Sequence, residues 1–222
     1  ALKDTGKPVI FVMMTGSAIG LEWENSNLNA ILNAWYGGQA GSQAICDILF
    51  GDYNPSGKLP LTFYRSVEDI PDYQNYSMQD RTYRYFRGTP VYPFGYGLSY
   101  TSFGYSNLRI NVDAEGRLHV TAVVTNKGQM DGDEVVQMYV SNKRNFVTPL
   151  RSLKGFERIF LKAGESRDVE FVLTKEDLTL TGTAGETIPM KGKVEISVGG
   201  CQGGQTVIPS TTEVVTESIN IQ

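Results

Sequence analysis

The sequence predicts an α/β segment followed by an all-β sandwich, and three observations carry that expectation. A continuous apolar run near the start, Pro8 to Thr15 (PVIFVMMT), fits a strand buried on both faces of a parallel sheet. Apolar residues at helical spacing follow it to about residue 50. From about Ser102 the pattern becomes a two-residue alternation, in short runs separated by Gly, Asn, Asp and Lys.

After the opening strand, Asn25-Ser26-Asn27 offers N-cap chemistry for a helix with Leu28, Ile31, Leu32 and Trp35 on its apolar face, ended by Gly37-Gly38. A second helix places Gly41, Ala44, Ile45, Ile48 and Leu49 on one face and closes at Gly51. One buried strand and two helices make an incomplete object, because buried backbone amides need partners. The rest of that sheet is expected upstream. Asn54-Pro55-Ser56-Gly57 is turn chemistry, and LPLTFY after it is a candidate short strand. Residues 66–101, rich in Tyr, Pro, Gly, Asp and Arg, form a long ordered connection whose aromatics need packing partners. FGYSNLRINV, LHVTAVVTN, DEVVQMYVSN, SRDVEFVLT, KVEISVGG and EVVTESINI are the sandwich strands, the second with Leu118, Val120, Ala122 and Val124 on one face. The expected units are 1–65, 66–101 and 102–222.

Composition excludes several partners. The 20 Lys and Arg are scattered among 24 acids, so there is no basic face for nucleic acid. No stretch reaches the roughly 20 apolar residues of a membrane span. The opening is not a signal peptide, since its apolar run is short and follows charged residues. A single histidine gives no metal-ligand set, and no cofactor is expected. Cys46 and Cys201 lie in unlike contexts, so Cys46 is expected to be a buried free thiol rather than half of a disulfide.

The motifs give little chemistry of their own. His119 alternates with the apolar face of its strand and should point to solvent. Gly16-Ser17-Ala18-Ile19-Gly20 has its serine second of five, not central as a nucleophile elbow requires, and no triad assembles. Gly37-Gly38-Gln39-Ala40-Gly41 reads as a turn between two helices and lacks the lysine of a phosphate loop. A carboxylate pair can do acid–base chemistry. Glu22 and Glu24 flank Trp23 just after the buried strand, where open α/β sheets place their sites. Glu22 and Trp23 are therefore the candidate substrate-binding residues, with helix-start acids as the structural alternative. Asn75-Tyr76-Ser77 is a glycosylation sequon in a secretory eukaryotic host. Arg81 to Phe86 (RTYRYF) alternates charge and aromatics, which suits arginine-on-tyrosine packing that pins the connection.

Four segments in order resemble glycoside hydrolase family 3: KPVIFVMMTGSAI, AWYGGQAGSQAICDILFGDYNPSGKLPLTFYRS, RTYRYFRGTPVYPFGYGLSYTSFGYSNLRI, and GDEVVQMYV with LKGFERIFLKAGES. The resemblance implies a catalytic barrel, then a six-stranded α/β sandwich whose terminal part is present here, then a fibronectin type III-like β-sandwich. It also implies a retaining β-glycosidase of the β-glucosidase or β-xylosidase type, with an aspartate nucleophile on the barrel and a glutamate acid/base upstream of KPVIFVMMTG. Neither carboxylate motif occurs here, so no catalytic residue carries over and this chain alone is expected to be inactive. The implied partners are a β-linked oligosaccharide substrate and the upstream barrel of the same protein, and the implied location is periplasmic or secreted. The alternative is a non-catalytic accessory module that binds carbohydrate or a partner, which an exposed row of tryptophans or tyrosines on one sandwich face would favour.

Overall fold

The computed structural model describes residues 1–142, 148–182, 184–204 and 210–222. Strand β1 (Ile10–Met13) forms where the apolar run placed it. Helix α1 (Glu22–Asn27) then crosses over to β2 (Ala30–Asn33), parallel to β1, with Ile10 opposite Ala30 and Met13 opposite Asn33. The helix expected over Leu28 to Trp35 is therefore absent. Asn25, Ser26 and Asn27 end a helix instead of starting one, and Ile31 and Leu32 lie in a strand. A two-turn helix is marginal by itself, whereas a parallel neighbour gives β1 a ladder of backbone hydrogen bonds. Trp35, at φ 52°, then turns the chain away in a conformation no right-handed helix contains.

Helix α2 (Gly41–Phe50) forms as expected and ends on Gly51 at φ 84°, a left-handed cap that suits glycine. The Gly37–Gly41 turn consequently follows a strand, not a helix. β1 is not buried on both faces: Ile10 is exposed, Phe11 and Val12 are half-buried and only Met13 is buried. Its sheet has two strands among the described residues, so most of its surface meets no neighbour. Cys46 is exposed for the same reason, contrary to expectation, since no residue of α2 is fully buried; both cysteines are free thiols. LPLTFY makes a single bridge, Phe63 to Tyr92, and no strand. Phe63 nevertheless centres a small core with Met13, Leu21 and Val91.

The segment after residue 65 is ordered by local caps and ring contacts. Ser66 and Asp69 form a reciprocal capping box on the turn Val67–Asp69, and a short helix α3 (Thr82–Tyr85) lies within RTYRYF. Tyr83 stacks on Phe94 at 4.2 Å between centroids, meets Tyr139 edge-on, and accepts a hydrogen bond from the Leu153 N–H at 3.1 Å. Arg84 lies over the adjacent Tyr85, an arginine-on-tyrosine contact within the segment itself, so the tie to the sandwich comes from Tyr83 instead. Arg81 does something else, donating to the carbonyls of Pro71, Asp72, Asn75 and Ser77 and so shaping a loop.

The remainder is a sandwich of antiparallel strands: β3 (Phe103–Val112), β4 (Leu118–Asn126), β5 (Gly132–Ser141), β6 (Ser152–Leu161), β7 (Ser166–Leu173), β10 (Gly192–Gly199) and β11 (Val214–Ile221). The sheet β11-β10-β5-β6 packs on the sheet β3-β4-β7, and a small hairpin, β8 (Thr179–Thr181) with β9 (Thr187–Pro189), adds to the edge. Phe103, Val120, Val124, Val136, Leu161 and Val194 are among the residues filling the space between the sheets. All six strands expected from alternation are present, and β6 is an addition. Its outward Phe156 and Phe160 are exposed and break the apolar-in, polar-out pattern. Strand β5 is buried on both faces. Val136, Met138 and Val140 face the sandwich core, while Gln137 and Tyr139 are covered by Gly95 and Tyr83 from the first hundred residues. Among the described residues no helix is long and apolar enough to cross a membrane.

Candidate functional site

Glu22 and Trp23 open α1 and line one wide, shallow groove with Gly20, Glu24, Ser26, Asn27 and Arg65. Leu21, buried just before them, anchors the helix start in the small core. The indole of Trp23 is 57% exposed, with the Lys3 ammonium 5.9 Å from its ring centre. Tyr92 ties the helix from outside the groove by donating to Asn25 Oδ1 at 2.8 Å, and burial, followed by the nearby Glu24 charge, raises its phenol above the ordinary value. The structure thus brings the two candidate residues together, but it commits the Glu22 carboxylate. Arg65 donates to Glu22 Oε1 at 2.5 Å and is itself fixed by Thr89 O at 3.0 Å. An open indole beside an ion pair can stack on a sugar ring, while the Glu22 oxygen that meets Arg65 is already engaged. Arg65 was not foreseen, because it lies far from Glu22 in sequence.

A second polar cluster sits where the first hundred residues meet the sandwich. Lys58 Nζ lies 3.4 Å from Glu134 Oε1, with the side chains only 10% and 1% exposed. Tyr105 Oη and Thr212 Oγ1 each donate to the same oxygen at 3.2 Å. Burial raises the Glu134 carboxyl above its ordinary value even though the Lys58 charge pulls it down. Beside it, Gln137 Nε2 donates to Gly95 O at 3.0 Å and Gly200 O at 2.9 Å, and accepts at Oε1 from Tyr139 Oη at 2.5 Å. One signal was available in the sequence: Glu134 stands in phase with Val136, Met138 and Val140, an acid in an apolar row.

His119 faces outward, as alternation requires, but it is held. Its Nδ1 meets Glu170 Oε1 at 2.7 Å and its Nε2 meets Asp113 Oδ2 at 3.1 Å. The bond to Glu170, then that to Asp113, raises the imidazole above its ordinary value. A raised folded-state value means stability that is complete below about pH 6.5 and is lost as pH rises through the raised value. The His119→Gln variant is therefore expected to lose less melting temperature than the parent between about pH 6 and pH 9, and equal slopes in a thermal scan would refute this. Among the described residues no group of three or more His, Cys, Asp or Glu is placed to hold a metal ion.

Comparison with known proteins adds the wider context. A family model for the glycosyl hydrolase family 3 C-terminal domain matches residues 1–100, and one for a fibronectin type III-like domain matches residues 134–202. A xylan 1,4-beta-xylosidase of Xylanibacter ruminicola is 47% identical over 90% of this chain, and a periplasmic beta-glucosidase of Salmonella typhimurium is 40% identical over 90%. The chain spans 23% and 28% of those two relatives' own lengths. Among solved structures, a beta-glucosidase from Streptomyces venezuelae in complex with D-glucose superposes with a TM-score of 0.83 at 29% identity, covering 100% of this chain and 30% of that one. A beta-D-glucoside glucohydrolase from Trichoderma reesei does so with a TM-score of 0.82 at 29% identity, covering 97% of this chain and 34% of that one.

Proposed function

This chain belongs to glycosyl hydrolase family 3, and from that premise we propose that it is the C-terminal part of a retaining β-glycosidase that releases terminal β-linked glucose or xylose from oligosaccharides. The observation that carries the reading is the 47% identity, sustained over 90% of the chain, to a xylosidase of whose length the match makes up 23%. The carboxylates of this chain agree with it. Glu22 is paired with Arg65 and Glu134 is buried against Lys58, which is compatible with an aspartate nucleophile and a glutamate acid/base that lie, as the family resemblance implies, upstream of this chain. The half-exposed β1 and the unburied α2 supply the surface on which those residues' sheet would continue.

Glu22 and Trp23 serve in this reading as an edge of the substrate groove, through the indole face rather than through acid chemistry. The accessory-module alternative draws no support from the sandwich tyrosines, since Tyr105 and Tyr139 are both buried. The test is direct. The isolated chain is expected to give no turnover of aryl β-glucosides or aryl β-xylosides, and the same chain expressed with the residues encoded ahead of it is expected to cleave one or both. Turnover by the isolated chain, or none by the extended protein, overturns the proposal.

A further inference from the structure

Glu134 closes the apolar row of β5, where a leucine would be buried with no charge to desolvate. The surroundings are nevertheless built for a carboxylate. Tyr105 and Thr212 both direct hydroxyls at Oε1, and residue 200 is a glycine at a point where any Cβ would overlap that oxygen. Lys58 reaches this site from the turn that leads out of α2, and three other residues of the same turn, Asn54, Gly57 and Leu59, are tied as well. Asn54 Nδ2 donates to Asp131 O at 3.0 Å, while Asn54 Oδ1 accepts from Ser99 Oγ and the Tyr100 N–H. The Leu59 N–H donates to Tyr96 O at 2.8 Å, and the Gly95 N–H donates to Leu59 O at 2.7 Å. Gly57 O packs directly against Gly97.

A buried ion pair is weak as a source of stability, and its best-attested use is to select one arrangement over its neighbours. Here the arrangement selected is a register. A shift of the turn by one residue would put Leu59 opposite Glu134 and leave the carboxylate without a counter-charge in a closed site. We propose that the Lys58–Glu134 pair is a conformational latch by which the β-sandwich holds the Asn54–Leu59 turn in a single register against Pro93–Gly97. The sandwich then acts on the α/β part directly, fixing the path from α2 to the core residue Phe63.

Native-state hydrogen exchange on the chain tests the latch with Lys58→Met, Glu134→Gln and the double variant. Each single change is expected to speed exchange at the Leu59 and Gly95 amides about tenfold, with Val120 and Val124 in the middle of β4 unchanged. The double variant, with no charge left to compensate, is expected to lie nearer the parent than the sum of the singles predicts. Glu134→Gln keeps its shape and an acceptor for Tyr105 and Thr212, so it carries the same readout should Lys58→Met fail to fold. Unchanged exchange at Leu59 and Gly95 overturns the latch. So does an equal rise at Val120 and Val124, which marks global loss of stability, and so does strict additivity.

Discussion

Replacing Gly97 by alanine is expected to lower the unfolding free energy of this chain by about 3 kcal/mol, read as a shift in the urea midpoint at constant slope. A Cβ at that position would fall inside the van der Waals boundary of Gly57 O, with the Lys58 side chain next in line at 3.2 Å. The obstacle is backbone, so no rotamer change relieves it. Gly57 can retreat only by moving Lys58, and Lys58 is held in the closed site at Glu134. The added methyl must therefore either break that pair or part the sandwich from the Asn54–Leu59 turn. Gly38→Ala is the matched control, since a Cβ there meets nothing within 4 Å and the change should be close to neutral. Should the two variants unfold within about 1 kcal/mol of each other, the tight seam described here is wrong.

The same glycine shows how far the sequence could be read. Its motif, YPFGYGLSYT, was visible as part of a family resemblance, but the reason for its glycines was not. Gly95 leaves room for the buried Gln137 and Tyr139 side chains, and Gly97 leaves room for Gly57 O, all contributed from distant stretches of chain. Local pattern carries no record of such meetings. The sandwich was legible because each strand writes its own burial as alternation, and Leu118, Val120, Ala122 and Val124 are indeed buried in turn. Strand β6 escaped because its outward face carries Phe156 and Phe160. β2 was misread because Leu28, Ile31, Leu32 and Trp35 satisfy helical spacing over a window too short to outweigh one parallel neighbour.

The site divides in the same way. Glu22 and Trp23 follow the first strand closely enough in sequence to be found together, and they do share a groove. That Arg65 takes the Glu22 carboxylate depends on a contact 43 residues away in sequence, which no motif announces. Glu134 could have been suspected from its phase on β5, since an acid among Val136, Met138 and Val140 needs a partner. Its partner could not have been named, because Lys58 directly follows a turn motif that carries no record of what packs against it.

The substitution Asn126→Leu is expected to cost about 4 kcal/mol, although it nearly conserves volume in the sandwich. Asn126 is fully buried at the end of β4, and its amide is completely used. Nδ2 donates to Met130 O at 2.8 Å and to Leu161 O at 3.1 Å, while Oδ1 accepts from Thr101 Oγ1 at 2.6 Å and the Gly128 N–H at 3.1 Å. Leucine leaves all four groups without this partner, and a buried unmade bond costs about 1–3 kcal/mol per group before relaxation. Four places lose one common tether: the β4–β5 turn at two points, the end of β6, and Thr101 at the entry to β3. Asn126→Asp separates hydrogen bonding from shape. It keeps both acceptor bonds but sets a second oxygen against the carbonyls of Met130 and Leu161, so its carboxyl is expected to titrate well above the ordinary carboxylate range when folded. Such a group adds nothing adverse below about pH 4, and its stability is lost as pH rises through the raised value. The aspartate variant should therefore approach the parent in acid and fall toward the leucine variant at neutral pH, whereas leucine should show the same deficit at both. A leucine variant within about 1 kcal/mol of the parent would mean that water or a shifted backbone replaces all four bonds, and that Asn126 is not the tether its geometry describes.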